Sequence, residues 1–237
     1  MSNPVLVACA HGTRGADGRR AVGTLVAAVQ AARPGTVVRA AFVDVQEPTV
    51  AHVVHEVTDA GSSVVVVPLL LSAGYHVAVD IGRAVHGRAA TATPALGPDD
   101  RLTALLHDRL LAAGTGDEDA LVLAAAGSSD PAAVRDVERV AAALAALHSG
   151  PVTVGYAAAA KPSVTEAVET ARREHPGRRV VVAAYLLAPG HFHRRLGDVG
   201  ADVLTAALLS AAGPPDPRLV EIVLDRYDAG VRSLLRD

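Results

Sequence analysis

Three landmarks recur in the same order at a near-constant spacing, and that repeat constrains the fold more than any other feature. Ala10-His11-Gly12-Thr13 is echoed by Ala125-Ala126-Gly127-Ser128, 115 residues on. Glu47-Pro48-Thr49-Val50 is echoed by Lys161-Pro162-Ser163-Val164, 114 residues on. Leu70-Leu71-Ser72-Ala73-Gly74 is echoed by Leu186-Leu187-Ala188-Pro189-Gly190, 116 residues on. A spacing kept across three landmarks marks duplication. The expected division is a first copy at 1–115 and a second at 119–237, joined through Gly114-Thr115-Gly116-Asp117-Glu118-Asp119.

Inside each copy, short β-branched runs alternate with longer helical patterns. Val5 to Ala10, Val37 to Phe42 and Ser63 to Val67 read as strands, with a weaker one near Ala92 to Leu96. Asp17 to Ala32, the stretch opened by Pro48, the stretch ending near Val85, and Asp99 to Ala113 read as helices. Four consecutive valines, Val64 to Val67, mark a strand buried on both faces, as in a parallel sheet. The βαβα order predicts an α/β fold of two tandem Rossmann-like domains, each a parallel sheet flanked by helices, with a cleft between the halves.

Half of the residues are hydrophobic and 20% are charged, which excludes a disordered chain. Formal charge is −3 with the signs interspersed, so no nucleic-acid partner is expected. Cys9 is the single cysteine, so neither an internal disulfide nor a cysteine metal site can form. The longest strictly apolar run, Val64 to Leu71, is far short of the roughly 20 residues that span a bilayer. With no visible export signal, the chain reads as a cytoplasmic protein without a membrane partner. Its oligomeric state is left open, a monomer included.

Ligands of open parallel sheets bind beyond the carboxyl ends of the strands. In the first copy, each of the first three strands is followed by a residue that can bind metal or accept a proton: His11, Asp44 and, in the loop behind Gly74-Tyr75, His76. Two imidazoles and a carboxylate suit a divalent transition metal. In the second copy His11 is matched by Ala126, Asp44 by Ala158, and His76 falls opposite Phe192 or its neighbour. One copy kept chemistry-capable groups and the other did not. A purely architectural role would not produce that asymmetry.

The remaining candidates read as structural. Gly12, Gly15 and Gly18 match neither a dinucleotide fingerprint nor a P-loop and are expected to form a flexible turn. Cys9, inside an apolar strand, reads as a buried thiol. His52, His55 and His148 read as solvated. His191 and His193 flank Phe192 past the third strand of the second copy, where they could extend the site.

Taken together, Ala10-His11-Gly12-Thr13-Arg14, Phe42-Val43-Asp44 with Glu47-Pro48, and Pro68 through His76 with Asp80-Ile81 resemble the sirohydrochlorin chelatases. These are the small class II chelatases related to ferrochelatase. The second copy resembles the degenerate repeat of the long, two-domain, actinobacterial-type members. The resemblance implies two tandem ferrochelatase-like domains and insertion of Fe2+ or Co2+ into a sirohydrochlorin-type tetrapyrrole, for siroheme or cobalamin. The divalent metal is then a substrate, with no organic cofactor and no ATP. It implies His11, Asp44 and His76 as catalytic residues, with His11 and His76 holding the metal. Many relatives carry glutamate where this chain has Asp44. A carboxylate-rich substrate calls for arginine, and Arg14, three residues past His11, is the expected contact, with Gly74 and Tyr75 as the other substrate-binding residues.

Two other functions fit parts of the pattern. A tetrapyrrole or metal carrier would use the same groups without turnover. A histidine-type phosphatase also places His-Gly at a strand end, but needs an arginine before the histidine, where this chain has Ala10.

Overall fold

A computed structural model describes residues 3–72 and 74–236; for Tyr75, His76, Val77 and Ala78 it describes the backbone alone. The elements run β1 (Val5–Ala10), α1 (Ala16–Ala32), β2 (Val38–Phe42), α2 (Val50–Asp59), β3 (Val64–Pro68), α3 (Tyr75–Val85), β4 (Ala90–Ala92) and α4 (Asp100–Ala112). The order then repeats as β5 (Ala120–Ala125), α5 (Pro131–Ala145), β6 (Val152–Tyr156), α6 (Val164–Glu174), β7 (Val180–Tyr185), α7 (His191–Leu196), β8 (Val203–Leu204) and α8 (Pro217–Leu234). The α/β reading with two parallel sheets is what the structure has: β2-β1-β3-β4 in one and β6-β5-β7-β8 in the other.

The valine run behaves as its composition requires. Val64 to Val67 have no exposed surface, and β3 lies between β1 and β4. At about 1.5–3 kcal/mol per buried valine, that strand anchors the first sheet. One strand sits earlier than its sequence reading: β4 ends at Ala92, where Thr91 and Ala92 pair with Val65 and Val66. Pro94, two residues on, has no N–H to give a ladder, and the chain leaves the sheet. Nor does Pro48 open α2. It precedes Thr49, whose hydroxyl caps the helix by accepting the His52 N–H.

The compact units cut across the repeat. One comprises Met1–Leu96 with Ala212–Asp237, the other Gly97–Ala211. The closing helix of each repeat therefore belongs with the other repeat's sheet. In the first unit α8 buries Leu219, Ile222, Val223 and Tyr227, and Tyr227 donates its hydroxyl to Pro4 O at 2.7 Å. Its approach to β3 is so close that a Cβ on Gly230 would lie 2.5 Å from Val65 Cγ1. Arg226 binds the carbonyls of Ala95 and Leu96 at 3.0 and 3.1 Å.

In the second unit α4 buries Leu102, Leu105, Leu106 and Leu110. The segment read as a linker is fastened here. Asp119, only 9% exposed, accepts from Arg179 Nη2 at 2.7 Å and from Gly116 N–H at 2.8 Å. His148, expected to be solvated, donates Nε2–H to Asp119 O at 2.8 Å. Hydrogen bonding from Arg179 holds the Asp119 carboxyl below the usual range, although partial burial opposes it. Among the described residues, no helix is long and apolar enough to cross a membrane.

Candidate active site at the carboxyl ends of β1, β2 and β3

In the first sheet β1 has β2 on one side and β3 on the other, so the chain leaves successive strands in opposite directions. That is the topological switch point at which such sheets open a crevice. β1 and β3 run in register to Cys9 and Pro68, and the ladder closes with Leu69 N–H on Cys9 O at 2.7 Å. Cys9 is fully buried, as expected, and burial pushes its thiol up to about 12. It stays a neutral thiol near pH 7.

His11 is the first residue past β1 and is exposed. The loop after β2 is laid directly against it. Val43 N–H donates to Ala10 O at 3.0 Å and Asp44 N–H to His11 O at 2.9 Å. The structure thus brings His11 and Asp44 together by backbone bonding. Asp44 is also exposed, and its Oδ1 accepts the N–H of Val45 at 2.7 Å. Val45 is a β-branched residue at φ 68° and is itself exposed. This left-handed residue turns the chain so that Gln46 N–H reaches Asp44 O at 2.8 Å.

The glycine of His11-Gly12-Thr13 is not a flexible turn, contrary to its sequence reading. Gly12 has φ +102°, and a Cβ there would lie 1.9 Å from Asp44 O. Two loops pass so closely that only glycine fits between them. Gly18 is buried in α1. Thr13 Oγ1 accepts the Gly15 N–H at 3.2 Å, and Gln46 Oε1 accepts the Thr13 N–H at 2.7 Å. Arg14 is exposed, and its carbonyl accepts from Arg19 Nη1 at 2.8 Å.

The third arm begins at Gly74, an extended residue at φ −77° that caps α3. Helix α3 opens at Tyr75, so His76 is its second residue and not a loop residue as expected. The side chains of Tyr75 and His76 lie outside the described residues. Among the described residues no three His, Cys, Asp or Glu side chains cluster for metal binding.

The second sheet repeats the backbone of this edge without its side chains. Ala157 N–H and Ala158 N–H donate to Ala125 O and Ala126 O at 2.9 and 3.0 Å. Gly127 is at φ +91° and Ala159 at φ 60°. His193, considered as an extension of the site, has its Nε2 3.0 Å from Thr205 O. A carbonyl only accepts, so that nitrogen carries the proton and is used structurally. His191 is exposed and lies against Phe192 with ring centroids 5.8 Å apart. The Gln46 bond is the feature sequence reasoning missed. Its only signal was the matching Ala160, which cannot make it.

Comparison with known proteins agrees with this duplicated architecture. SirB from Bacillus subtilis with Fe3+ superposes at a TM-score of 0.77 and 20% identity, covering 97% of this chain and 96% of that one. SirB from Bacillus subtilis subspecies spizizenii in complex with cobalt, described as a sirohydrochlorin chelatase, gives 0.75 and 20%, covering 98% and 96%. CbiX, described as the terminal enzyme for biosynthesis of siroheme in denitrifying bacteria, gives 0.63 and 20%, covering 95% and 98%. At these identities the likeness is one of fold. No curated protein matches the sequence. The CbiX family model matches residues 5–113 and again 120–229, so both repeats are of one kind and the chain belongs to the CbiX family.

Proposed function

We propose that this chain is a sirohydrochlorin chelatase that inserts Fe2+ or Co2+ into the tetrapyrrole without ATP, in the cytoplasm, for siroheme or cobalamin supply. The observation that carries the reading is the His11–Asp44 edge. Two residues that bear an imidazole and a carboxylate, His11 and Asp44, are joined backbone to backbone at the switch point of one sheet, while the other sheet keeps the backbone and has Ala126 and Ala158 in their place. The family membership and the two metal-bearing relatives of like fold support it.

Insertion exchanges two pyrrole N–H protons for one divalent ion, so charge balances if both protons are taken up by bases and passed to solvent. In this reading residues 1–115 carry the chemistry and 119–237 are a degenerate copy. His11 and His76 hold the incoming ion through neutral imidazole nitrogens and strip part of its hydration shell. Asp44 accepts a pyrrole proton. Its Oδ1 is occupied by the Val45 N–H, which leaves Oδ2 for that work. Arg14, together with Gly74 and Tyr75, binds the carboxylated rim of the macrocycle.

The test is an absorbance assay of sirohydrochlorin with Co2+ or Fe2+ and sub-stoichiometric protein. Multiple turnovers above the uncatalysed rate establish the enzyme. A spectral change that stops at one equivalent per chain identifies a carrier instead.

A further inference from the structure

We infer that Gln46 is a positioning residue for His11, acting through the backbone amide of Thr13; this deepens the chelatase reading and rests on it. Gln46 Oε1 accepts the Thr13 N–H at 2.7 Å, across 33 residues of sequence, and so joins the loop after β2 to the loop after β1. The loops do not need that bond in order to fold. Their backbones are already joined by Asp44 N–H to His11 O, and the second copy has the same bond from Ala158 N–H to Ala126 O. It also has the same left-handed residue before position 46, Ala159 for Val45. What it has at position 46 itself is Ala160. The molecule therefore holds an internal control: a loop pair with the same backbone bonds but without the side-chain tie, in the copy that lacks the histidine and the carboxylate.

The mechanical consequence falls on His11. Its carbonyl is held by Asp44 N–H, and two residues further on the chain is held again by Gln46 Oε1. With both points fixed, the imidazole is presented from a backbone clamped to the loop that carries Asp44. Without the second point, Gly12 and Thr13 gain freedom and the imidazole–carboxylate geometry loosens. A displacement of that kind costs rate more than affinity.

The experiment compares Gln46→Met, which keeps length and removes the acceptor, with Gln46→Glu, which keeps an oxygen able to accept from Thr13 N–H. Steady-state Co2+ insertion into sirohydrochlorin is measured beside hydrogen exchange at the Thr13 amide and the unfolding midpoint. Gln46→Met should lower kcat about tenfold at unchanged KM for the tetrapyrrole and accelerate Thr13 exchange, with the fold intact. Gln46→Glu should restore both. An active wild type whose Gln46→Met variant is equally fast, or whose Gln46→Glu variant is as slow as Gln46→Met, overturns the positioning role alone. A wild type that inserts no metal overturns the chelatase reading and this role with it.

Discussion

Replacing Gly127 with alanine should destabilise the protein severely, although the residue sits in the copy without catalytic side chains. Two costs add. At φ +91° an alanine pays about 1–2 kcal/mol for the left-handed backbone. Its Cβ would also lie 1.8 Å from Ala158 O, so the loop after β6 must retreat by more than an ångström. That movement breaks Ala158 N–H to Ala126 O and Ala160 N–H to Ala158 O, at about 1 kcal/mol each. The sum is about 3–4 kcal/mol. At a urea slope of about 2 kcal/mol/M, the unfolding midpoint falls by about 1.5–2 M. Gly177 supplies the control in the same unit, since it is at φ +87° with nothing within 4 Å of a Cβ. Gly177→Ala pays only the backbone cost, about 1–2 kcal/mol. Urea unfolding followed by circular dichroism should rank wild type, Gly177→Ala and Gly127→Ala in that order. If Gly127→Ala unfolds with Gly177→Ala, the close approach of the two loops is not what requires glycine there.

Three further outcomes are expected. Cys9, fully buried with its thiol raised to about 12, should resist a thiol reagent at pH 8 in the folded protein and react at once in denaturant, as read by mass shift. Asp119 has a depressed pKa in the fold, so its contribution to stability is present above the unfolded value of about 3.9 and is lost as pH falls through the folded one. Wild type should therefore melt above Asp119→Asn at pH 5–7, and the gap in Tm should close below about pH 4. Arg14→Ala should raise KM for sirohydrochlorin more than it lowers kcat, and wild-type KM should rise with salt; an unchanged KM removes Arg14 from the substrate rim.

The duplication was legible because its landmarks are backbone devices. Gly12 and Gly127 are each forced by a loop carbonyl, and Thr49 and Ser163 each cap a helix, so the same residue types recur at the same spacing. The helix exchange was not. The leucines of α4 announce a buried face, but nothing in them says which sheet that face covers. The acidic, glycine-rich stretch 114–119 reads as solvated linker because Asp119 looks like any surface carboxylate until Arg179, 60 residues away, is beside it. At the site, His11 and Asp44 were legible as polar residues just past apolar strands. Gln46 was not, because its partner is a backbone amide that carries no sequence signature.

The central claim is that chemistry resides in the first copy, and alanine replacement of histidines in both copies tests it most directly. Steady-state Co2+ insertion is measured for His11→Ala, His76→Ala, His191→Ala and His193→Ala, with circular dichroism as the folding control. His11→Ala and His76→Ala should each stay folded and lose roughly 10²-fold or more in rate, the scale of a missing acid–base or ligand group. His191→Ala should stay near wild type. His193→Ala should lose about 1 kcal/mol of stability with its bond to Thr205 O, and little rate. Near-wild-type insertion by His11→Ala, or a loss in His191→Ala or His193→Ala as deep as that in His11→Ala, would contradict the account.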